Sequence, residues 1–98
     1  LVIMVVKGES RKMNTRVALI GIVVESPESI ERLNALLHEY SPFIIGRMGI
    51  PYPKHDMSII SIAIDATQDA ISALSGKIGM LPGISTKTIY SRQTAEKP

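Results

Sequence analysis

The chain has 98 residues, 45% of them hydrophobic, and a formal net charge of +2. A chain of this length forms one small domain that buries roughly two-thirds of its unfolded surface, so a large remaining apolar face requires a partner. It contains no cysteine, which excludes disulfides, thiolate metal sites and cysteine nucleophiles.

The first 13 residues form a leader that differs from the rest. The whole net positive charge of the chain comes from this leader, because residues 14–98 hold equal numbers of basic and acidic side chains. Its apolar residues precede the basic ones, the reverse of a secretory signal, and are too few to span a bilayer, so we expect a cytoplasmic protein. Either the leader precedes a native start at Met13, or it forms a flexible tail or an added edge strand.

The next segment predicts a strand and then a helix. Residues 16–25 are rich in β-branched residues and apolar on both alternating faces, which is typical of a strand buried on two sides. Ser26 is expected to cap a helix with Pro27 at its first position. The apolar stripe of this helix has helical spacing and consists of Ile30, Leu33, Leu37 and Tyr40.

Two further strands are predicted after this helix. Residues 43–52 form a strand interrupted by Gly46, Gly49 and Pro51, and a proline at such a position indicates the edge of a sheet. Residues 57–65 form an isoleucine-rich strand.

The last third of the chain predicts a second helix and a fourth strand. Thr67 is expected to cap the helix, and Pro82 and Gly83 end it. Residues 84–91 alternate as a strand, and residues 93–98 form a flexible tail. The stripe of this helix is Ile71, Leu74, Ile78 and Leu81.

The two halves superpose when the sequence is shifted by 41 residues. Leu19 then matches Ile60, and Leu33 matches Leu74. A duplicated βαβ unit predicts an α+β, ferredoxin-like βαββαβ domain over residues 14–92, with antiparallel sheet order 4-1-3-2 and both helices on one face.

Two helices can cover only one face of this sheet. To the covered face we assign Leu19, Val23, Ile60, Ile62 and Ile64. To the other face, as the oligomer interface, we assign Ala18, Ile20, Ile22, Val24, Met57, Ile59 and Ala63. An apolar patch of this kind exceeds what soluble monomers usually expose, so we predict a homo-oligomer, a dimer or tetramer, built through sheet faces, sheet edges or both.

Four segments carry a resemblance to a known family: TRVALIGIVVE, FIIGRMGIPY, ISALSGKIGMLPGI and STKTIYS. Over residues 14–92 the chain resembles regulators of the iron-only hydrogenase system, small proteins with an ACT-like fold related to the C-terminal domain of nickel-responsive repressors. The resemblance implies a regulatory role, in transcription, ligand sensing or assembly. Only about a dozen residues precede the first strand, too few for the DNA-binding domain of those repressors. The nickel site of the repressors needs several histidines and a cysteine, whereas this chain has two histidines and no cysteine, so that site is not expected here.

The segment Gly46-Arg47-Met48-Gly49 is the first candidate ligand site. An arginine beside bare backbone suits a carboxylate or phosphate at a subunit junction. The alternative is that the glycines permit a bulge while Arg47 forms an ion pair between subunits.

The second candidate ligand site is Gly76, Lys77 and Gly79. A phosphate loop is excluded there, because its glycines and lysine must follow a strand and open a helix. Two glycines near a helix end favour close packing over backbone exposure to a ligand. Lys77 is favourable to the helix dipole without further function.

The remaining polar candidates favour structural roles. His55 and Asp56 could supply part of a metal shell, but a polar turn is the better interpretation. His38 is expected on a helix surface, and Lys87 on an edge strand that it protects from aggregation.

The sequence therefore predicts an oligomeric regulatory module that binds a small ligand or a partner protein at subunit junctions. The alternative is a structural or adaptor oligomer without a small ligand. No catalytic residue, metal site or cofactor is predicted, because the carboxylates are scattered and no cofactor motif follows a strand. Direct nucleic-acid binding is not expected of a neutral domain with few aromatic residues, nor is a membrane partner.

Overall fold

The computed structural model describes residues 2–5 and 14–94. The expectations for the remainder of the leader and for residues 95–98 of the tail lie outside the described residues. The elements in chain order are β1 (Val2–Val5), β2 (Arg16–Val24), α1 (Ile30–Glu39), β3 (Ile44–Tyr52), β4 (Met57–Ala66), α2 (Gln68–Gly79) and β5 (Ile84–Thr94).

The strands form one sheet in the order β1-β3-β4-β2-β5, with every neighbouring pair antiparallel. Strands β2 to β5 reproduce the predicted order 4-1-3-2, and the ferredoxin-like βαββαβ fold is confirmed. Strand β1 lies beside β3 as an additional edge strand, with Val2 opposite Gly49 and Val5 opposite Gly46. Residues 2–5 of the leader thus extend the sheet.

The two helices begin differently although their sequences carry similar signals. The Thr67 side chain accepts a hydrogen bond from the Ala70 amide at 3.2 Å, so the predicted cap of α2 is confirmed. Ser26 is the N-cap residue and Pro27 the first residue of a helical turn, as predicted, but that turn is not the start of α1. A 3₁₀ turn, Pro27–Ser29, comes first, the Ser26 side chain makes no cap hydrogen bond, and α1 begins at Ile30.

The core lies between the two helices and one face of the sheet. Helices α1 and α2 contribute Leu33, Leu37, Ile71, Leu74 and Ile78. The central strands contribute every second residue: Ala18, Ile20, Ile22 and Val24 from β2, and Ile60, Ile62, Ile64 and Ala66 from β4. Because both central strands are continuously apolar, their other faces are largely apolar as well.

The predicted face assignment is right for β4 and wrong for β2. Met57, Ile59 and Ala63 alternate with buried residues of β4, and they lie on the side away from the helices. The β2 residues predicted at the oligomer interface are at most 3% exposed and belong to the core; they are Ala18, Ile20, Ile22 and Val24. Leu19 and Val23, predicted to be covered, lie on the other face instead.

The inversion comes from a difference of one residue between the two halves. Val24 precedes Leu33 by nine positions, whereas Ala66 precedes Leu74 by eight. The helices therefore superpose with a shift of 41 residues and the strands with a shift of 42, and the 3₁₀ turn before α1 takes up the extra residue. A slip of one residue turns every side chain of a strand to its opposite face.

In the part of the chain that the structure describes, neither helix has the length and apolar character needed to cross a membrane.

Candidate functional site

The face of the sheet away from the helices is apolar and uncovered in the single chain; we call it the open face. Strand pairing and alternation place on it Ile3, Val17, Leu19, Val23, Met48, Met57, Ile59, Ala63, Asp65, Ser85, Lys87 and Ile89. Leu19 is 44% exposed, Ile59 41% and Ile89 67%. More than half of the large apolar side chains that the described residues expose lie here, so solvent exposure is concentrated on one surface.

Small residues line the middle of the open face. Ala63 lies opposite Leu19, and Ser61 lies opposite Gly21 on β2. The larger side chains of Met48 and Lys87 stand at the two ends of the row that holds Ser61 and Gly21, which makes that row a shallow trough. A surface with both projections and a depression can interlock with a second apolar surface.

Among the open-face residues, Asp65 and Lys87 are the two that carry a charge, and their charges are opposite. Asp65 lies opposite Val17 on β2, and its Oδ1 atom is buried without a hydrogen-bond partner. Lys87 lies opposite Gly21, between two threonines whose hydroxyls bond on the helix side of the sheet. A buried carboxylate oxygen without a partner is costly, and a donor from outside the single chain would relieve that cost.

On the helix side of the sheet, an open cleft of about 390 Å³ lies between α1 and strands β3 and β4. Its polar lining is Asn34, Arg47 and Ser58, and its apolar lining is Ile30, Leu33, Ile50, Pro51 and Ile60. Gly49 contributes bare backbone to the lining. The cleft therefore combines a cation with a mostly apolar wall.

The residues of the first predicted ligand site are divided between the two faces of β3. The Arg47 side chain is half-buried on the helix side and donates a hydrogen bond to Asn34 Oδ1 at 2.9 Å. Gly49 lies on the same side, whereas Met48 is 38% exposed on the open face. Arg47 and Gly49 thus share the cleft, and Met48 belongs to the apolar surface behind it.

The second predicted ligand site lies at the end of α2, away from the cleft. Lys77 donates a hydrogen bond to the Tyr40 hydroxyl at 3.2 Å, and its ammonium lies 5.3 Å from the centre of that ring. This hydrogen bond, and then the charges of Tyr40 and Glu39, raise the pKa of Lys77 above its ordinary value, so the side chain is a cation at neutral pH.

The two groups of candidates do not form one site. Lys77 contacts α1 at Tyr40 and Arg47 contacts it at Asn34, six residues away, which is a rise of about 9 Å along a helix. A methyl group on Gly76 would meet no atom within 4 Å, and one on Gly79 would make an ordinary contact with Thr86. Close packing does not require a glycine at either position.

The two histidines lie on the surface. His55 and Asp56 are exposed in the turn before β4, where Asp56 has a positive φ of 58° and the His55 ring lies 5.4 Å from that of Tyr52. His38 is exposed on α1. Within residues 2–5 and 14–94, no cluster of three potential metal ligands is present.

Sequence reasoning missed two parts of these sites. Asn34 and Ser58 line the cleft with Arg47: the packing of α1 on the sheet brings Asn34 there, and the pairing of β3 with β4 brings Ser58. The sequence does contain a signal for Asp65, since a carboxylate that interrupts a run of apolar residues in a central strand needs a partner.

Comparisons with known proteins match the chain to one family model and to solved structures. The model of the family described as "TM1266-like: Iron-only hydrogenase system regulator, putative" matches residues 16–88. The solved structure of the uncharacterized protein TM1266 from Thermotoga maritima is 34% identical in sequence, covers 80% of this chain and 99% of that chain, and superposes with a TM-score of 0.77. None of the curated proteins matches the chain significantly.

Proposed function

The chain belongs to the TM1266-like family of iron-only hydrogenase system regulators, and from that premise we propose that it acts as an oligomeric regulatory module whose subunits meet through the open face. The described strands all belong to one sheet, and two α-helices pack on it. In this proposal the module acts through a ligand or a partner protein, and not by binding DNA with these residues.

The observation that carries the proposal is the open face itself. Its exposed Leu19, Ile59 and Ile89 would lose contact with water on association. Burial of apolar surface contributes about 25 cal/mol per Å², and large exposed apolar patches on soluble proteins are typical of interaction sites. A second copy of the chain presents the same projections and the same trough, so two open faces can interlock around a twofold axis.

The two charges of the open face also fit a second copy. In a twofold interface, a contact from one subunit to the other occurs twice. If Asp65 of one subunit accepts a hydrogen bond from Lys87 of the other, both charges are paired in each half of the interface. The carboxylate oxygen that lacks a partner in the single chain then gains one.

A charge exchange tests this pairing. Asp65→Lys or Lys87→Asp alone is expected to raise the dissociation constant of the assembly roughly 30-fold or more, because each leaves two like charges in contact. The double variant, Asp65→Lys with Lys87→Asp, restores opposite charges and is expected to recover most of the affinity. Sedimentation velocity over a range of concentrations measures all three constants.

Lys54→Asp is the matched control for this exchange. It makes the same charge change as Lys87→Asp, but in the exposed turn before β4, away from the open face. Its dissociation constant should stay near that of the unaltered chain. If the double variant is as weak as the two single variants, Asp65 and Lys87 do not pair across the interface.

The regulatory role is tested in the cell. Deleting the gene in a host that makes an iron-only hydrogenase is expected to change hydrogenase activity per cell severalfold, and the unaltered gene should restore it. A gene carrying Leu19→Lys, which is designed to block assembly, should fail to restore it at equal protein level. Unchanged activity after deletion would contradict the role, and full restoration by the variant would separate the role from assembly.

A further inference from the structure

The cleft between α1 and β3 owes its space to Gly49. This residue faces the helix side of β3 opposite Ile60, and a Cβ atom at Gly49 would meet no atom within 4 Å. At the neighbouring position on β4, the Ile60 side chain fills the same layer and is 8% exposed. The volume of about 390 Å³ falls at the small end of the range of roughly 300–1,000 Å³ that is usual for small-molecule sites.

The charge in the cleft is not neutralised by the described residues. Arg47 donates to the neutral amide of Asn34, and no described carboxylate forms an ion pair with it. A guanidinium has five N–H donors, and this hydrogen bond uses one, so a planar anion can still be bound through two parallel hydrogen bonds. A carboxylate meets this geometry with a single negative charge.

The walls of the cleft specify the rest of the ligand. Ile30 is 36% exposed at the rim, Pro51 is exposed in the lining, and Ile60, which is 8% exposed, lies further in. Contact with these side chains favours an apolar chain, whereas a doubly charged phosphate would lose hydration there without a second cation in the lining. The shape and charge together select a small molecule with one carboxylate and one short apolar chain.

We propose that this cleft is a binding site for a small monocarboxylate with a short apolar chain, held at its carboxylate by Arg47 and along its chain by Ile30, Pro51 and Ile60. The inference deepens the proposed function, since it supplies the ligand that the regulatory module senses. The cleft lies on the helix side of the sheet and the subunits meet on the open face, so binding and assembly can be measured separately.

The test uses 4-methylpentanoate as the probe and backbone amide NMR of the full chain as the readout. Saturable shifts are expected at Asn34, Arg47 and Gly49, with a dissociation constant of about 1 mM for a ligand of eight non-hydrogen atoms. The neutral 4-methylpentanamide should bind at least tenfold more weakly. Equal binding of the amide, saturable binding of inorganic phosphate at the same residues, or no saturable shifts with the carboxylate would overturn the proposal.

Gly49→Val places a branched side chain in the cleft, at a position where a Cβ atom would meet no other atom within 4 Å, and valine is favourable in a strand. It should abolish the shifts and leave both the melting temperature and the mass of the assembly unchanged or raised. Arg47→Gln removes the charge and should weaken 4-methylpentanoate binding at least tenfold, which keeps the proposal testable if the valine variant does not fold. Gly76→Ala, at an exposed glycine of α2, is the control that should bind normally.

Binding that persists in Gly49→Val, or that is not weakened in Arg47→Gln, contradicts the assignment of the site. Failure of the ligand site is distinguishable from failure of the proposed function. An oligomer that binds no carboxylate retains the proposed assembly and favours an adaptor, whereas a monomer that binds the carboxylate retains the site and loses the assembly.

Discussion

Replacing Leu19 by lysine is expected to separate the assembly into folded monomers. Leu19 lies on central strand β2, between Ala63 of β4 and Ile89 of β5, and is 44% exposed in the single chain. A lysine there has room to reach solvent in the monomer, so the fold should be retained. In a twofold interface it would place two unpaired ammonium groups on apolar surface, and one uncompensated buried charge costs about 3–5 kcal/mol.

The expected increase in the dissociation constant is therefore above roughly 1,000-fold. Sedimentation velocity at micromolar concentration gives the mass, and circular dichroism gives the melting temperature. Met80→Lys is the matched control, because Met80 is 84% exposed just after α2 and lies away from the open face. A Leu19→Lys chain that keeps the mass of the unaltered assembly would place the interface elsewhere.

Replacing Gly83 by alanine is expected to cause the largest loss of stability among the glycine substitutions. Gly83 has a positive φ of 71°, and a methyl group there would overlap the Ser26 side chain and lie 3.2 Å from the Ser26 nitrogen. The Gly83 carbonyl accepts a hydrogen bond from the Glu25 amide at 2.7 Å, which joins the end of β2 to the turn before β5. The left-handed backbone alone costs about 1–2 kcal/mol for alanine, and with the overlap we expect about 3 kcal/mol in total.

Urea unfolding measures this loss, and Gly76→Ala provides the comparison. Gly76 lies inside α2, where a methyl group would meet nothing within 4 Å. Alanine should therefore stabilise the helix there by up to about 1 kcal/mol. If the two substitutions change the free energy of unfolding equally, the tight contact between Gly83 and Ser26 does not exist in solution.

The fold was predictable because its signals are redundant. The apolar runs of β2 and β4 require central positions, and the stripe from Ile71 to Leu81 is buried as its spacing predicts. The faces of β2 were not predictable in the same way. Which residues of β2 face the helices depends on whether the connection to α1 is one residue longer than the connection from β4 to α2. The sequence around Pro27 does not show that a 3₁₀ turn precedes the helix.

The candidate site was predictable only in part for a similar reason. The glycines around Arg47 single it out in the sequence, and alternation along β3 separates Arg47 from Met48. Its partner Asn34 is 13 residues away, and the empty space above Gly49 depends on where α1 crosses the sheet. Neither the partner nor the space leaves a local pattern in the sequence.

Strand β3 connects the two proposed sites. Arg47 and Gly49 face the cleft, and Met48 between them is exposed on the open face. A ligand that fixes the backbone at these positions also fixes the orientation of a side chain at the proposed interface. This arrangement gives a short physical route from binding to assembly, and it needs no movement of the helices.

The most direct test of the central claim is the mass of the unaltered chain in solution, measured by sedimentation equilibrium. We expect a multiple of 10.7 kDa at micromolar concentration. Dilution below the dissociation constant of the open-face interface should give the monomer. A stable, folded 10.7 kDa monomer at micromolar concentration would show that the apolar face of the sheet needs no partner, and would contradict the account.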